Sequence, residues 1–331
     1  MCHNNLGLIR DKPKADVSEF LLIQTQSIFV STGLLRRDNG DSFSHMHHIL
    51  HRLALLALVG WTSMLHAQGY RLEKNVDYLE AGRKEKADLY LPAEIPKGKR
   101  VPAVVIVHGG GWTGGDKYAS REQNIGTNLA LNGYIAMSIN YVLADKKGTN
   151  ATWPQNLYDC KTAVRWLRKN AERLQIDPEH IGAIGGSAGG HLVSMMALTE
   201  AKDGLDPAGP YGEFSCRIQC VVDLYGPADL MNYHDITALR KTHKEAPELY
   251  KQASPITYAD KNDPPVLILH GTGDKTVDYQ QSVTFAKVLK EAGTKHELIL
   301  IPDAPHTFHL QPKQRDLRAL VIGFFDEHLK K

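Results

Sequence analysis

Two kinds of hydrophobic pattern alternate along this chain. Short, continuous apolar runs are separated by longer segments in which apolar residues recur every three or four positions. Runs that are apolar at every position predict strands with both faces buried, as in a mainly parallel sheet covered by helices. The predicted strands cover residues 86–92, 102–110, 134–142, 180–186, 218–226, 264–271 and 295–302.

The longer segments predict helices between these strands. From Leu157 to Leu174 the apolar residues recur at intervals of three and four, which places them on one helical face. The other helical segments are 188–198, 278–293, 313–329 and a segment that ends at Gly133. Strands that alternate with helices in this way predict an α/β domain.

Residues 227–262 interrupt the alternation of strands and helices. The segment contains many polar residues and has only weak periodicity. We therefore predict that it forms a small excursion over the ends of the strands. This interpretation makes it a cap on the domain rather than a second domain.

The N-terminal part of the chain has a targeting pattern. In residues 46–67, Met46 is followed by three histidines before Arg52, then by thirteen uncharged and mostly apolar residues, and finally by His66 and the small residue Ala67. This order is typical of a secretory signal peptide, and the apolar stretch is shorter than the roughly 20 residues of a membrane span. A buried helix or an uncleaved anchor is the alternative. We expect Met46 to be the true start, residues 1–45 to be an over-called or disordered extension, and the protein to be secreted or periplasmic.

Composition limits the partners that this chain can bind. Of the 331 residues, 42% are hydrophobic and 23% are charged, and the net charge is +2 with neutral histidines. This balance gives no basis for binding nucleic acid or an anionic membrane surface. We expect Cys160, Cys216 and Cys220 to be buried thiols, with a bridge between the last two as the alternative. Neither the cysteines nor the histidines have the spacing of a metal site.

Four predicted strands are followed directly by glycine-rich or polar residues. These residues are His108–Trp112, Gly186–Gly189, Asp274 and His306. Ligands of open α/β sheets bind beyond the carboxyl ends of the strands, so we expect these residues to meet at that edge. The edge would then hold two glycine loops, a hydroxyl, a carboxylate and an imidazole.

One glycine loop contains a serine. The segment Gly185-Gly186-Ser187-Ala188-Gly189 has the pattern G-x-S-x-G between a predicted strand and a predicted helix. In that context a sharp turn exposes the serine hydroxyl at the helix N-terminus, and the flanking glycines leave room for neighbouring backbone. We interpret Ser187 as a nucleophile that needs a base to accept its proton. An ordinary tight turn is the alternative.

The other glycine loop, His108-Gly109-Gly110-Gly111-Trp112, follows another buried strand. Consecutive glycines allow backbone N–H groups to face a cavity, where they can stabilise an oxyanion. The candidate donors are the N–H groups of Gly110, Gly111 and Ala188. We expect His108 to hold this loop by hydrogen bonds. A flexible loop or a phosphate cradle is the alternative, but no lysine followed by a hydroxyl residue supports the cradle.

The two glycine motifs, together with His-Gly-Thr-Gly-Asp at 270–274 and Pro-Asp-Ala-Pro-His at 302–306, resemble the α/β-hydrolase superfamily. They are most similar to its hormone-sensitive-lipase-like and feruloyl-esterase-like carboxylesterases. The resemblance covers about residues 70–331 and implies one catalytic domain with the α/β-hydrolase fold. It also implies a triad in the order Ser, Asp, His. That order assigns the roles to Ser187, Asp274 and His306.

Two triad positions have a second candidate. Asp278 lies four residues after Asp274, and His309 lies three residues after His306. Asp274 directly follows the strand-end motif, which favours it as the acid. Relatives usually have Gly-His-Gly-Phe at the base, whereas this chain has proline before His306 and threonine after it.

The resemblance implies a serine hydrolase of ester bonds that needs no cofactor. The short cap favours short acyl chains or an open cleft over lipid, and export favours acetyl or feruloyl esters on carbohydrates. Within hydrolases, the alternatives are an arylformamidase-like amidase and a serine peptidase, although peptidase relatives carry a large N-terminal domain. A non-catalytic binding protein on a hydrolase scaffold is the alternative from another class.

Overall fold

The computed structural model describes residues 69–147 and 149–330. The expected extension at 1–45 and the expected signal peptide at 46–67 lie outside the described residues. In the described part of the chain, no helix is both long enough and apolar enough to cross a membrane.

An eight-stranded sheet forms the centre of the described chain. Its strands are β1 (Tyr70–Val76), β2 (Ala87–Pro92), β3 (Val101–Val107), β4 (Ile135–Ile139), β5 (Ile176–Gly186), β6 (Val221–Leu224), β7 (Val266–Gly271) and β8 (His296–Ile301). Their spatial order is β1-β2-β4-β3-β5-β6-β7-β8. The β1–β2 and β2–β4 pairs are antiparallel and all the others are parallel, which confirms the predicted mainly parallel sheet.

Helices cover both faces of this sheet. They are α1 (Ser120–Leu131), α2 (Gln155–Lys169), α3 (Ala171–Leu174), α4 (Ala188–Leu198), α5 (Pro247–Gln252), α6 (Gln280–Ala292) and α7 (Arg318–Leu329). Short 3₁₀ turns lie at Ala201–Asp203, Thr237–Leu239 and Pro255–Thr257. Each of the seven predicted strands corresponds to one observed strand, and the helices fill the predicted intervals.

The sheet separates two hydrophobic cores. Along β3, Val105 and Val107 belong to the core beneath α2, α4 and α6, whereas Val104 and Ile106 belong to the core beneath α1 and α7. All four side chains are fully buried. The strands are therefore continuous apolar runs because helices cover both of their faces.

The hydrophobic pattern did not predict β1. This strand carries Arg71, Glu73 and Lys74, and none of its side chains is fully buried. It lies at the edge of the sheet and pairs only with β2. An edge strand of this kind needs no continuous apolar run, so the pattern used for the central strands does not detect it.

The helix predicted from Leu157 to Leu174 is interrupted at Asn170, between α2 and α3. The Asn170 side chain donates a hydrogen bond to the carbonyl oxygen of Trp166 at 2.9 Å. Asparagine competes with the backbone in this way and so disfavours a continuous helix. Leu174 remains buried beyond the break, which is why the apolar periodicity continues across it.

The three cysteines of the described chain are free, buried thiols. Burial raises the pKa of the Cys160 and Cys220 thiols well above the usual value, so both stay protonated at neutral pH. Cys216 is not bridged to Cys220. The structure therefore agrees with the expected buried thiols.

Phe325 on α7 provides a test of the core beneath the end of β5. It is fully buried, and a Cβ atom at Gly182 of β5 would lie 3.1 Å from its ring. We expect Phe325→Ala to lower the free energy of unfolding by about 3–5 kcal/mol, because it leaves a cavity. Phe324 is only partly buried, so Phe324→Ala on the same helix is a matched control with a much smaller loss. Equal losses in urea unfolding would contradict this description of the core.

Candidate active site

Ser187 occupies the sharp turn between β5 and α4. Its backbone has φ 57° and ψ −123°, a conformation that residues other than glycine rarely adopt. The Ser187 N–H donates to the carbonyl oxygen of Leu224 at 2.9 Å, and the Ser187 carbonyl oxygen accepts from the N–H of His191 at 3.0 Å. Bonds to the neighbouring strand and to the following helix therefore hold the strained residue in place.

The glycines around Ser187 permit several backbone segments to approach one another. A Cβ atom at Gly185 would lie 2.4 Å from the carbonyl oxygen of Gly189, and one at Gly189 would lie 2.0 Å from that of Val107. Both separations are shorter than real Cβ contacts. A Cβ atom at Gly109 would lie 3.1 Å from Cβ of Ser187. Glycine is therefore required where the end of β3 passes the turn.

Three side chains from three strand ends form one hydrogen-bonded chain. His306, in the loop after β8, lies with Nε2 3.0 Å from Oγ of Ser187. Its Nδ1 lies 2.6 Å from Oδ2 of Asp274, which follows β7. The carboxylate keeps the imidazole proton on Nδ1, so Nε2 can accept the proton of the hydroxyl. This arrangement can make a serine hydroxyl nucleophilic.

The two other candidates lie elsewhere. Asp278 is exposed, and its carboxylate accepts the backbone N–H of Gln280 at the start of α6. Nδ1 of His309 accepts the N–H of Gln311 within its own loop. Among the described residues, neither side chain is hydrogen-bonded to the chain that begins at Ser187.

The carboxylate of Asp274 is held ionised by several hydrogen bonds. It accepts from Nδ1 of His306, from Nε2 of His270 at 3.2 Å, and from the backbone N–H groups of Thr276 and Val277. Burial favours the neutral acid, but these bonds outweigh burial and hold the pKa of Asp274 well below its usual range. Sequence reasoning assigned His270 no role at the acid, because no motif indicates that this buried imidazole faces the carboxylate.

The loop Gly109–Trp112 carries three residues with positive φ, namely 121° at Gly110, 60° at Gly111 and 58° at Trp112. Across residues 69–147 and 149–330, no hydrogen bond uses the N–H of Gly110, Gly111 or Ala188. These are the three N–H groups predicted to hold an oxyanion. Their unpaired state leaves them able to donate to a ligand oxygen.

His108 sets the orientation of one of these donors. Its Nδ1 lies 2.8 Å from the carbonyl oxygen of Gly109, and its ring stacks on Tyr141 with centroids 4.4 Å apart. Burial lowers the pKa of His108 to about 4, so the ring is neutral at pH 7 and Nδ1–H donates. The Gly109 carbonyl and the Gly110 N–H belong to one planar peptide unit, so this bond also directs the N–H.

Trp112 and His191 join this loop to the helix after Ser187. Nε1–H of Trp112 donates to Nδ1 of His191 at 3.3 Å, and Nε2–H of His191 donates to the carbonyl oxygen of Ala253 at 2.7 Å. Burial lowers the pKa of His191 to about 4, which agrees with this neutral tautomer. The imidazole therefore connects α4 with the segment 227–262.

A cavity of about 490 Å³ lies beside Ser187 and His306. The N-terminus of α1 and the segment 227–262 complete its lining, with Ser120, Arg121, Glu122, Tyr233, His234, Asp235, Ile236 and Thr237. The predicted cap thus supplies one wall of the cavity. In the part of the chain that the structure describes, no three His, Cys, Asp or Glu side chains are arranged to hold a metal ion.

A sheet of this strand order, with a serine at the turn after β5, defines the α/β-hydrolase class. Residues 87–289 match the BD-FAE family, and the chain belongs to that family. Esterase LipQ of Mycobacterium tuberculosis is 32% identical over 247 residues, which are 71% of this chain and 57% of LipQ. The probable carboxylic ester hydrolase LipM of the same organism is 29% identical, over 76% of this chain and 60% of LipM. The chain thus spans less than two thirds of the length of these curated relatives.

Solved structures of esterases share the fold. A truncated carbohydrate esterase from gut microbiota has a TM-score of 0.72 and 29% sequence identity, and the match covers 80% of this chain and 99% of that chain. The propionate-bound esterase Est2 of Thermogutta terrifontis has a TM-score of 0.62 and 26% identity, over 78% of this chain and 93% of Est2. These matches confirm the α/β-hydrolase fold and the similarity to carboxylesterases.

Gly189 provides a test of the close approach at the turn. Because a Cβ atom at this position would lie 2.0 Å from the carbonyl oxygen of Val107, Gly189→Ala must displace either the loop or the turn. We expect the rate at which a fluorophosphonate labels Ser187 to fall by about 100-fold or more. Gly323→Ala is the matched control, since nothing lies within 4 Å of its added Cβ atom in the exposed part of α7. A wild-type labelling rate in Gly189→Ala would contradict the described approach.

Proposed function

We propose that this protein is a serine esterase that hydrolyses short-acyl esters. In this proposal Ser187 is the nucleophile, His306 the general base and Asp274 the acid that orients the base. The observation that carries it is the hydrogen-bonded chain, with 3.0 Å between Ser187 Oγ and His306 Nε2 and 2.6 Å between His306 Nδ1 and Asp274 Oδ2. The names of LipQ, LipM and the carbohydrate esterase support the same reaction class.

The first half-reaction transfers the acyl group to the enzyme. Ser187 Oγ attacks the ester carbonyl carbon while its proton moves to Nε2 of His306, and Asp274 stabilises the resulting imidazolium. The carbonyl oxygen becomes an oxyanion that accepts hydrogen bonds from the N–H groups of Gly110, Gly111 and Ala188. The bond to the leaving oxygen then breaks, His306 returns the proton to that oxygen, and the alcohol departs.

The second half-reaction regenerates the enzyme. Water attacks the acyl carbon, and its proton moves to Nε2 of His306 as the second tetrahedral intermediate forms. When the bond to Ser187 Oγ breaks, His306 gives the proton back to the serine oxygen and the carboxylic acid leaves. Every proton in this cycle moves through His306, and the reaction needs no cofactor.

We further propose that the alcohol part of the substrate is a carbohydrate, with acetyl or feruloyl esters as the substrates. The support is that Ser120, Asp235 and Thr237 offer hydrogen-bonding side chains in the cavity. The structural neighbour named as a carbohydrate esterase, and the propionate bound to Est2, agree with a small acyl group on a polar alcohol.

Hydrolysis of p-nitrophenyl acetate, butyrate and octanoate tests the proposed reaction. We expect the rate to fall as the acyl chain lengthens, and Ser187→Ala to lower kcat by more than about 10³-fold. Ser194→Ala is the matched control, because this serine lies on the same helix and its buried hydroxyl donates to Asp223 instead. Acetylated and feruloylated oligosaccharides should then release acetate or ferulate.

The same panel separates the alternatives. A marked preference for octanoate or triglyceride would contradict the short-acyl proposal. Turnover of amides without turnover of esters would favour the amidase. Folded protein that neither hydrolyses any substrate nor reacts with a fluorophosphonate would favour a binding protein on a hydrolase scaffold.

We also propose that the protein is exported through the signal peptide at residues 46–67. The support is the order of basic, apolar and small residues in the sequence. N-terminal sequencing of the exported protein should find Gln68 or a nearby residue first, and deletion of 46–67 should retain the protein inside the cell. A chain that still carries residues 1–45 would contradict both the proposed start at Met46 and the proposed cleavage.

A further inference from the structure

The side chain of Tyr225 lies between the nucleophile turn and the loop of the base. Tyr225 directly follows β6, has φ 48° and is fully buried. Its N–H donates to the carbonyl oxygen of Leu269 at 2.8 Å, so the backbone is anchored to β7. A non-glycine residue in this strained conformation indicates that the position of its side chain matters.

The ring of Tyr225 contacts the imidazole of the base. The ring centroids of Tyr225 and His306 lie 4.8 Å apart with an interplanar angle of 64°. The ring of Phe308, two residues further along the loop, lies 4.6 Å from Tyr225 at 71°. Both are edge-to-face contacts, which aromatic pairs favour and which restrict rotation of the imidazole.

The hydroxyl of Tyr225 restrains the backbone of the same loop. It donates to the carbonyl oxygen of Phe308 at 2.8 Å. The loop needs such a restraint, because Asp303 and Thr307 on either side of His306 have positive φ values of 56° and 64°. A strained loop of this kind persists only when surrounding contacts determine its position.

The hydroxyl is itself held by a buried ion pair at the start of α1. Nη1 of Arg121 donates to Tyr225 Oη at 3.0 Å, and Nη2 of Arg121 lies 2.6 Å from Oε1 of Glu122. Both charged side chains are about nine-tenths buried or more. A hydrogen bond from a charged donor is stronger than a neutral one, so the Tyr225 hydroxyl has a defined direction.

The nucleophile turn also limits the position of this hydroxyl. A Cβ atom at Gly186, the residue before Ser187, would lie 2.9 Å from Tyr225 Oη and 2.8 Å from Nη1 of Arg121. The hydroxyl therefore packs directly against the backbone that carries the nucleophile. The Tyr225 hydroxyl thus contacts the turn before Ser187 and also the loop that carries His306.

We propose that Tyr225 is a positioning residue that sets the distance between Ser187 Oγ and His306 Nε2, with Arg121 holding its hydroxyl. This inference rests on the proposed function, since it assigns Tyr225 a role through the base of that reaction. Displacement of a catalytic group by about 1 Å can lower turnover by about 100-fold. Loss of the hydroxyl alone, with the ring retained, should displace the base by less.

The test combines Tyr225→Phe with His306→Ala in the full-length protein. We expect Tyr225→Phe to lower kcat for p-nitrophenyl acetate by about 10-fold and to change KM by less than about twofold, because only proton transfer is affected. In the His306→Ala background, Tyr225→Phe should have no further effect on the residual rate. This non-additivity is the signature of a residue that acts through the base.

Tyr134→Phe is the matched control for removing a buried tyrosine hydroxyl. Tyr134 is fully buried, and its hydroxyl donates to Asp326 of α7 at 2.5 Å, at the opposite end of the parallel strands. We expect this variant to lose stability without losing kcat. If Tyr225→Phe does not fold, Arg121→Lys is the second variant, because lysine keeps the charge but cannot bridge Tyr225 and Glu122.

The rate of fluorophosphonate labelling of Ser187 separates failure of this inference from failure of the proposed function, since it needs no ester substrate. Wild-type protein that is not labelled would overturn the proposed function and this inference with it. Labelled wild type together with an unchanged rate in Tyr225→Phe would overturn the role of Tyr225 alone. Equal losses from Tyr225→Phe with and without His306 would also overturn it, because they would indicate a general structural effect.

Discussion

The close approach of the end of β3 to the turn around Ser187 is the constraint on which the site depends. The carbonyl oxygen of Val107 occupies the space in which any side chain at Gly189 would begin. The same approach brings Gly109 against Ser187, so the proposed oxyanion loop and the proposed nucleophile share one edge of the sheet. The strained φ of Ser187 follows from this geometry, because the chain must reverse direction within one residue.

The polar groups beneath this edge are held in one protonation state by burial and by their partners. His108 and His191 are neutral at pH 7, because burial lowers the pKa of each to about 4. Their N–H groups donate to fixed carbonyl oxygens, so neither ring needs to reorient during a reaction. Asp274 remains charged, because four donors compensate for its burial. Dipoles that are already oriented stabilise developing charge without reorganisation.

The sequence predicted those parts of the site whose physical requirement involves only residues that are neighbours along the chain. Glycines two residues before and after Ser187 are needed at the turn itself, and the continuous apolar runs record burial of both faces of the sheet. The choice between Asp274 and Asp278 depended on which of them directly follows the strand-end motif, because both carboxylates lie close to the end of β7. In the structure, Asp278 instead accepts the N–H of Gln280 at the start of α6.

Two contacts at the site were not predicted from the sequence. Arg121 and Tyr225 are separated by 104 positions, whereas His270 and Asp274 are only four positions apart and meet through the turn that follows β7. No periodicity records such pairs, since each residue alone resembles an ordinary buried side chain. The edge strand β1 was missed for a related reason, because one-sided pairing imposes little hydrophobic pattern.

The strand ends and the segment 227–262 supply different parts of the cavity. Ser187 and Asp274 follow β5 and β7, each of which pairs with a strand on both sides, whereas the loop of His306 follows the edge strand β8. The segment 227–262 has no partner strand, yet residues 233–237 line the cavity. Its sequence can therefore vary at one wall of the cavity without changing the strands that carry the proposed catalytic residues. Tyr225 lies just before this segment, but its hydroxyl is bonded to the loop of His306 and to Arg121 rather than to the segment.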